Sequence, residues 1–184
     1  MKTIYLSILL GLLFGVSSTL TAQTHYYNTP QTFIEKEYTY QCDIAPSKMV
    51  TLYNKQNQYT YEHYQNKDGS EVSGDVLLGN IALIEKDGWT RQKCDEIANK
   101  HFSNQERQRV GSKEYQVIMT IDTTTGKVIE VQFRFQTYDS FATIPVSTYR
   151  KIELDLKNSV WFTPTAEGKK LKFIKRGWMQ KVKP

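Results

Sequence analysis

The stretch YQVIMTI-DTTTG-KVIEVQFRFQ, residues 115–136, carries the clearest pattern in the sequence. Tyr115, Val117, Met119 and Ile121 recur at every second position, and Ile129, Val131, Phe133 and Phe135 alternate with Glu130, Gln132, Arg134 and Gln136. A period of two sends successive side chains to opposite faces of a strand, and the turn Asp122–Gly126 folds the two runs back on each other. The segment predicts a β-hairpin with one dry face and one wet face.

Working outward, polar residues dominate from about Trp89 to Arg109, while Cys94, Ile97, Ala98, His101 and Phe102 recur at steps of three and four. That spacing predicts one helix with a buried stripe, ended by Gly111. Beyond the hairpin, Ser147 is a candidate cap after Pro145 for a helix that buries Tyr149, Ile152, Glu153 and Leu156 and ends near Asn158. A turn at Glu167-Gly168 precedes a last strand from Lys170 toward Val182. Helix, strand, strand, helix, strand predicts an α+β architecture, a small antiparallel sheet with two helices on one face. Toward the N-terminus, strand formers are dense between Thr32 and Gln65 and predict strands near 33–42, 48–54 and 57–65. Val76–Ile84 reads either as a strand or as the buried lead-in to a helix.

Three segments follow: an export signal at 1–22, a Tyr-rich β extension at 23–88 and an α+β domain at 89–184. The signal rests on Lys2, the apolar run Ile4–Val16 and the small-residue stretch ending at Ala22. The apolar run is interrupted by Gly11 and Gly15 and is shorter than the roughly 20 residues that span a bilayer. A protein exported to the periplasm or beyond, with no stable membrane insertion after cleavage, is therefore expected. With 39% hydrophobic and 23% charged residues the chain has material for a core. Its charge of +5 is concentrated after Gly168, where Lys169, Lys170, Lys172, Lys175, Arg176, Lys181 and Lys183 stand without an acid. That pole reads as attraction to an anionic surface or as lysines guarding an edge strand. Export removes the chain from nucleic acid. Cys42 and Cys94 are candidates for a single disulfide, with a reduced, buried Cys94 as the alternative.

The second half resembles the C-terminal domain of the TonB family of periplasmic proteins. The likeness rests on Gly126-Lys127-Val128-Ile129-Glu130-Val131, on Trp161-Phe162-Thr163-Pro164 and on Gly168-Lys169-Lys170-Leu171-Lys172-Phe173, and covers roughly residues 90–182. The resemblance implies that the last strand offers a free edge to which a partner strand adds, with Leu171, Phe173, Lys175 and Trp178 along that edge. The whole layout is also similar to small exported proteins of uncharacterised function from gut-type Gram-negative bacteria.

No nucleophile elbow, zinc helix, phosphate loop or EF-hand occurs, so no cofactor or metal is expected. Cys94 and His101 are two helical turns apart, too far for a nucleophile and its base. In Gln58-Tyr-Thr-Tyr-Glu-His-Tyr64, the side chains of Tyr59, Tyr61 and His63 would share one strand face and make a platform for a peptide or a sugar. The expectation is an exported, non-enzymatic binding protein whose partner is an envelope protein, a peptide or a glycan. The alternatives are a hydrolase of cell-wall or dietary polysaccharide and a structural or inhibitory envelope protein.

Overall fold

The hairpin forms as its alternation requires, and everything else is arranged on its two faces. In the computed structural model, which describes residues 24–183, the hairpin strands are β4 (Glu114–Asp122) and β5 (Val128–Gln136). The expected export signal lies outside the described residues. Ahead of the hairpin come β1 (Gln31–Ile34), β2 (Thr39–Ile44) and β3 (Met49–Asn54), and the last strand is β6 (Phe173–Lys181). All six pair antiparallel in one sheet of order β1-β2-β3-β5-β4-β6. The five helices among the described residues are α1 (Gly74–Leu77), α2 (Thr90–Lys100), α3 (Asn104–Val110), α4 (Val146–Ser159) and α5 (Ala166–Lys170), with a 3-10 turn at Ser140–Thr143.

One face of the sheet is dry. Tyr115, Val117, Met119 and Ile121 of β4, Val131, Phe133 and Phe135 of β5, Val50 and Leu52 of β3, and Tyr40 and Cys42 of β2 are all buried there. α4 lies across β5 and α2 packs between α4 and β6, contributing Tyr149, Ile152 and Leu156 from one helix and Cys94, Ile97 and Ala98 from the other. Tyr149 stacks on Phe135 with ring centroids 5.5 Å apart and lies 4.9 Å from Phe133. Each such ring stabilises the fold by about 1.5–3 kcal/mol through removal from water. The strands from residues 31–54 continue this sheet, and Tyr27, Tyr40 and Leu52 belong to the same core cluster as the hairpin. Glu153, wholly buried on α4, pairs with Arg150 and Lys157 of its own helix and accepts the Tyr40 hydroxyl, so a hydrogen bond as well as packing ties the helix to β2.

Several local expectations give way to stronger local chemistry. The helix expected over 89–109 breaks at His101–Ser103, because Ser103 and Glu106 cap each other's backbone and start α3 afresh. The strand expected over 33–42 is two strands, turned at the charged run Glu35-Lys36-Glu37 with the Glu35 amide on the Tyr38 carbonyl at 3.0 Å. Pro145, not Ser147, occupies the cap position of α4. A bulge beside Thr120 and Ile121 puts Val128 opposite Ile121, so Val128 takes the buried place and Ile129 is only half-buried. Gly126 closes the turn at φ +75°, and a Cβ there would stand 1.9 Å from the Phe162 carbonyl oxygen.

Cys42 and Cys94 do not form the disulfide. Both thiols are free and buried, Cys42 on β2 and Cys94 on α2 beside β6. Four strand spacings separate β2 from β6, about 19 Å at ~4.8 Å each, against the roughly 7 Å that a disulfide bridges between Cα atoms. The reduced alternative holds, and burial pushes each thiol up to about 12.

Candidate functional site

The side chains on the other face of the sheet follow from the register. One row across the strands reads Asp43, Thr51, Arg134, Gln116, Met179, and the next reads Gln41, Tyr53, Gln132, Ile118, Gly177. Residues 57–65, expected as a strand, instead cross part of this face as an irregular strap. The strap starts where Asn54 turns the chain, accepting the Gln56 amide at 3.0 Å on its side chain and the Asn57 amide at 2.9 Å on its carbonyl. The Asn57 side-chain amide then donates to the Val131 carbonyl, and the buried Glu130 carboxylate accepts the Gln58 and Tyr59 backbone amides. Among the described residues no strand pairs with residues 57–59, so their backbone needs are met by side chains from the sheet below.

The strap separates the three residues expected on one strand face. Tyr59 lies on Phe173 at 4.5 Å. His63 is exposed and lines a shallow groove of about 640 Å³ with Tyr64, Leu77 and Lys172. Tyr61 alone stands over the open rows, 61% exposed, with its ring at 87° to that of Tyr53 and the centroids 5.8 Å apart. Both rings are aimed by one acid: Asp43 Oδ2 accepts the Tyr61 hydroxyl at 2.6 Å and the Tyr53 hydroxyl at 2.9 Å, while its Oδ1 accepts Gln41 Nε2 at 2.9 Å. Burial pushes the Asp43 carboxyl up, but the three hydrogen bonds outweigh it and hold the group below its ordinary value. Burial, joined by the bond to Asp43, pushes Tyr53 up to about 12 and Tyr61 higher still. Both hydroxyls therefore remain protonated donors to a charged acceptor near neutral pH.

Next to this aromatic corner the sheet presents polar groups that nothing in the fold uses. Arg134 stands directly between Thr51 and Gln116, in the second of the two central strands. It makes no ion pair or side-chain hydrogen bond among the described residues, and its Nε is buried without a partner. Gln132 lies opposite Tyr53, is only 8% exposed, and its Oε1 is likewise unpartnered. Sequence reading placed Gln132 and Arg134 on the wet face but did not single them out. Their alternation was legible, whereas the lack of a counter-charge above them is a property of the assembled sheet.

β6 is an edge strand, bonded to β4 alone within the sheet. Leu171 and Phe173 are buried, and the Trp178 indole turns to the dry side, donating to Gln180 at 2.8 Å. Much of the outer edge is already occupied. Residues 65–67 bond to residues 170–172 as a short bridge. The Tyr64 hydroxyl takes both the amide and the carbonyl of Lys175 at 3.3 Å. Farther along, the Met179 carbonyl accepts Arg91 and the Lys181 carbonyl accepts Asn99. By alternation from Lys175, Gly177 is left with its amide and its carbonyl both directed outward. Among the described residues no group of three His, Cys, Asp or Glu side chains could hold a metal ion, and no helix is long and apolar enough to cross a membrane.

No curated protein matches the chain. A solved crystal structure at 1.85 Å, that of a DUF5043 family protein from Bacteroides uniformis ATCC 8492, is similar: 37% identical, TM-score 0.78, covering 87% of this chain and 89% of that one. The family described as "Domain of unknown function (DUF5043)" matches residues 23–178, which takes in the extension, the hairpin and most of β6. The chain belongs to the DUF5043 family.

Proposed function

We propose that the protein is an exported, non-enzymatic glycan-binding protein of the cell envelope that holds its ligand on the open face of its sheet. The observation that carries this reading is the exposed Tyr61 ring, fixed with Tyr53 on a single carboxylate beside amide and guanidinium groups that have no partner inside the fold. A sugar offers a C–H face to a ring and hydroxyls to polar groups, which is the combination this corner presents. Tyr53, Gln132 and Arg134 stand on paired strands and Tyr61 is held by its hydroxyl on Asp43, so little ordering remains to be done on binding. Export is supported by the apolar leader and by the family match, which begins at residue 23 where the signal was expected to end. The carboxylates nearest the aromatic corner, Asp43 and Glu130, are both engaged by internal donors, which supports binding over hydrolysis.

The likeness to TonB C-terminal domains carries a second reading, strand addition at β6. It is supported by the docking of β6 on β4 at the sheet edge and by the outward backbone groups of Gly177. Tyr64 and Arg91 stand against it, since an added strand would have to displace them. A glycan array with the wild-type chain and with Tyr61→Ala and Tyr53→Ala variants tests the first reading. Loss of signal in both variants is expected, and an unchanged profile removes the reading. Hydrogen exchange in 175–181 with added peptides tests the second: protection there without any glycan signal would favour strand addition.

A further inference from the structure

The open face holds a cation, Arg134, that makes no ion pair or side-chain hydrogen bond among the described residues. Arg134 projects from β5 among Thr51, Gln116 and Gln132, and none of these neighbours carries charge. The nearest acid along its row, Asp43, is two strands away, about 10 Å between backbones, with both oxygens already taken by Tyr53, Tyr61 and Gln41. Glu130, on the same face of the same strand, spends both oxygens on the strap amides. Glu114, exposed on this face of β4 two residues from Gln116, is diagonal to Arg134 and stands opposite Lys181, yet it makes no ion pair with either. The unmet polar capacity is therefore one guanidinium with a buried, unpartnered Nε, together with a side-chain amide that is 8% exposed and lacks a donor for its Oε1. A buried polar group without a partner is costly, and a chain retains such a pair at little net cost where a ligand completes it.

We infer that Arg134 and Gln132 form a carboxylate subsite, so that the ligand of this face is an acidic glycan carrying uronic-acid-type sugars. The inference rests on the glycan reading of the same face and narrows its ligand class. The planar guanidinium fork matches a carboxylate through two parallel N–H···O bonds, which a neutral sugar hydroxyl cannot reproduce. Gln132 Oε1 accepts a hydroxyl of the same sugar, and the Tyr61 ring lies two strands along to receive the neighbouring unit. A peptide carboxylate is disfavoured here because the middle of the face offers side chains only, with every backbone group of β5 already directed to β3 or β4.

The test is calorimetric titration of the wild-type chain with a galacturonic acid trimer and with its methyl ester, which keeps the shape and removes the charge. The acid is expected to bind about 10- to 100-fold more tightly than the ester, the span of a charge-assisted pair. Arg134→Gln should bring the acid down to the level of the ester, and Arg134→Lys should recover only part of the preference. Equal affinity of the wild type for acid and ester, or a preference that survives Arg134→Gln, overturns the inference. Neutral glycans bound in a Tyr61-dependent way with no response to the trimer would overturn the carboxylate subsite and leave the glycan reading intact. The Arg134 Nε–H signal of the wild-type chain gives a readout independent of variant folding: it should shift on adding the acid and stay fixed with the ester, and a fixed signal with both counts against the inference.

Discussion

Replacing Asp43 by Asn should loosen the aromatic corner by a predictable amount and in a pH-dependent way. The two hydroxyls share Oδ2, at 2.6 Å from Tyr61 and 2.9 Å from Tyr53. An asparagine offers one acceptor oxygen and one donor nitrogen, so either Gln41 or both tyrosine hydroxyls together lose their acceptor, and the bonds that remain are to a neutral group. Hydrogen bonds to a charged group contribute about 1.5–3 kcal/mol when buried. Here the corner is partly open to water, and discounting for screening leaves about 1–2 kcal/mol for the whole change. For a domain of this size that lowers Tm by about 2–8 °C at pH 7. The Asp43 carboxyl titrates below its ordinary value in the fold, so its contribution is complete above the unfolded value of about 3.9 and disappears as pH falls through the folded one. The Tm gap between wild type and variant should therefore close on acidification below about pH 4, while Tyr61 ring signals in the variant should already show the broadened environment at pH 7. Thermal unfolding followed by circular dichroism at several pH values measures the gap. A gap that is absent at pH 7, or one that stays constant through acid, would refute the reasoning that the charge of Asp43 holds the two rings.

Gly126→Ala should destabilise the chain by about 2–4 kcal/mol in urea titration, from a left-handed φ and the lost Phe162–Gly126 bond; a change under about 1 kcal/mol would contradict the close approach of the Phe162 carbonyl. Cys42 and Cys94 should ignore a thiol reagent in the native state near neutral pH and both react in denaturant, and a melting temperature that drops on adding reductant would contradict the free thiols. Tyr64→Phe should speed amide exchange at Lys175 by about fivefold while leaving Arg176 unchanged, and equal effects at both would mean that the hydroxyl does not cap the edge.

Sequence period was enough for the hairpin, for α4 and for the α+β class, because alternation and the three-to-four spacing each demand a partner surface of a definite kind. It was not enough where two readings satisfy the same local pattern. Tyr59, Tyr61 and His63 alternate like a strand, yet a strand needs a neighbour with free backbone groups, and at that point β3 had already been paired to β5. The side chains of Asn57 and Glu130 took over that role and made a strap. Likewise Cys94 was correctly placed on the apolar side of a helix, while its distance from Cys42 depended on which edge each joined.

What the amino-acid order determined alone is the wet face itself: Gln132 and Arg134 point away from the core because a two-residue period leaves them no choice. Only the folded sheet gathered Asp43 from β2 and Tyr61 from the strap into one corner and left Arg134 without an ion pair among the described residues. Charge pairing between strands depends on register and strand order, which are settled by the packing of the opposite, apolar face and not by the polar residues themselves.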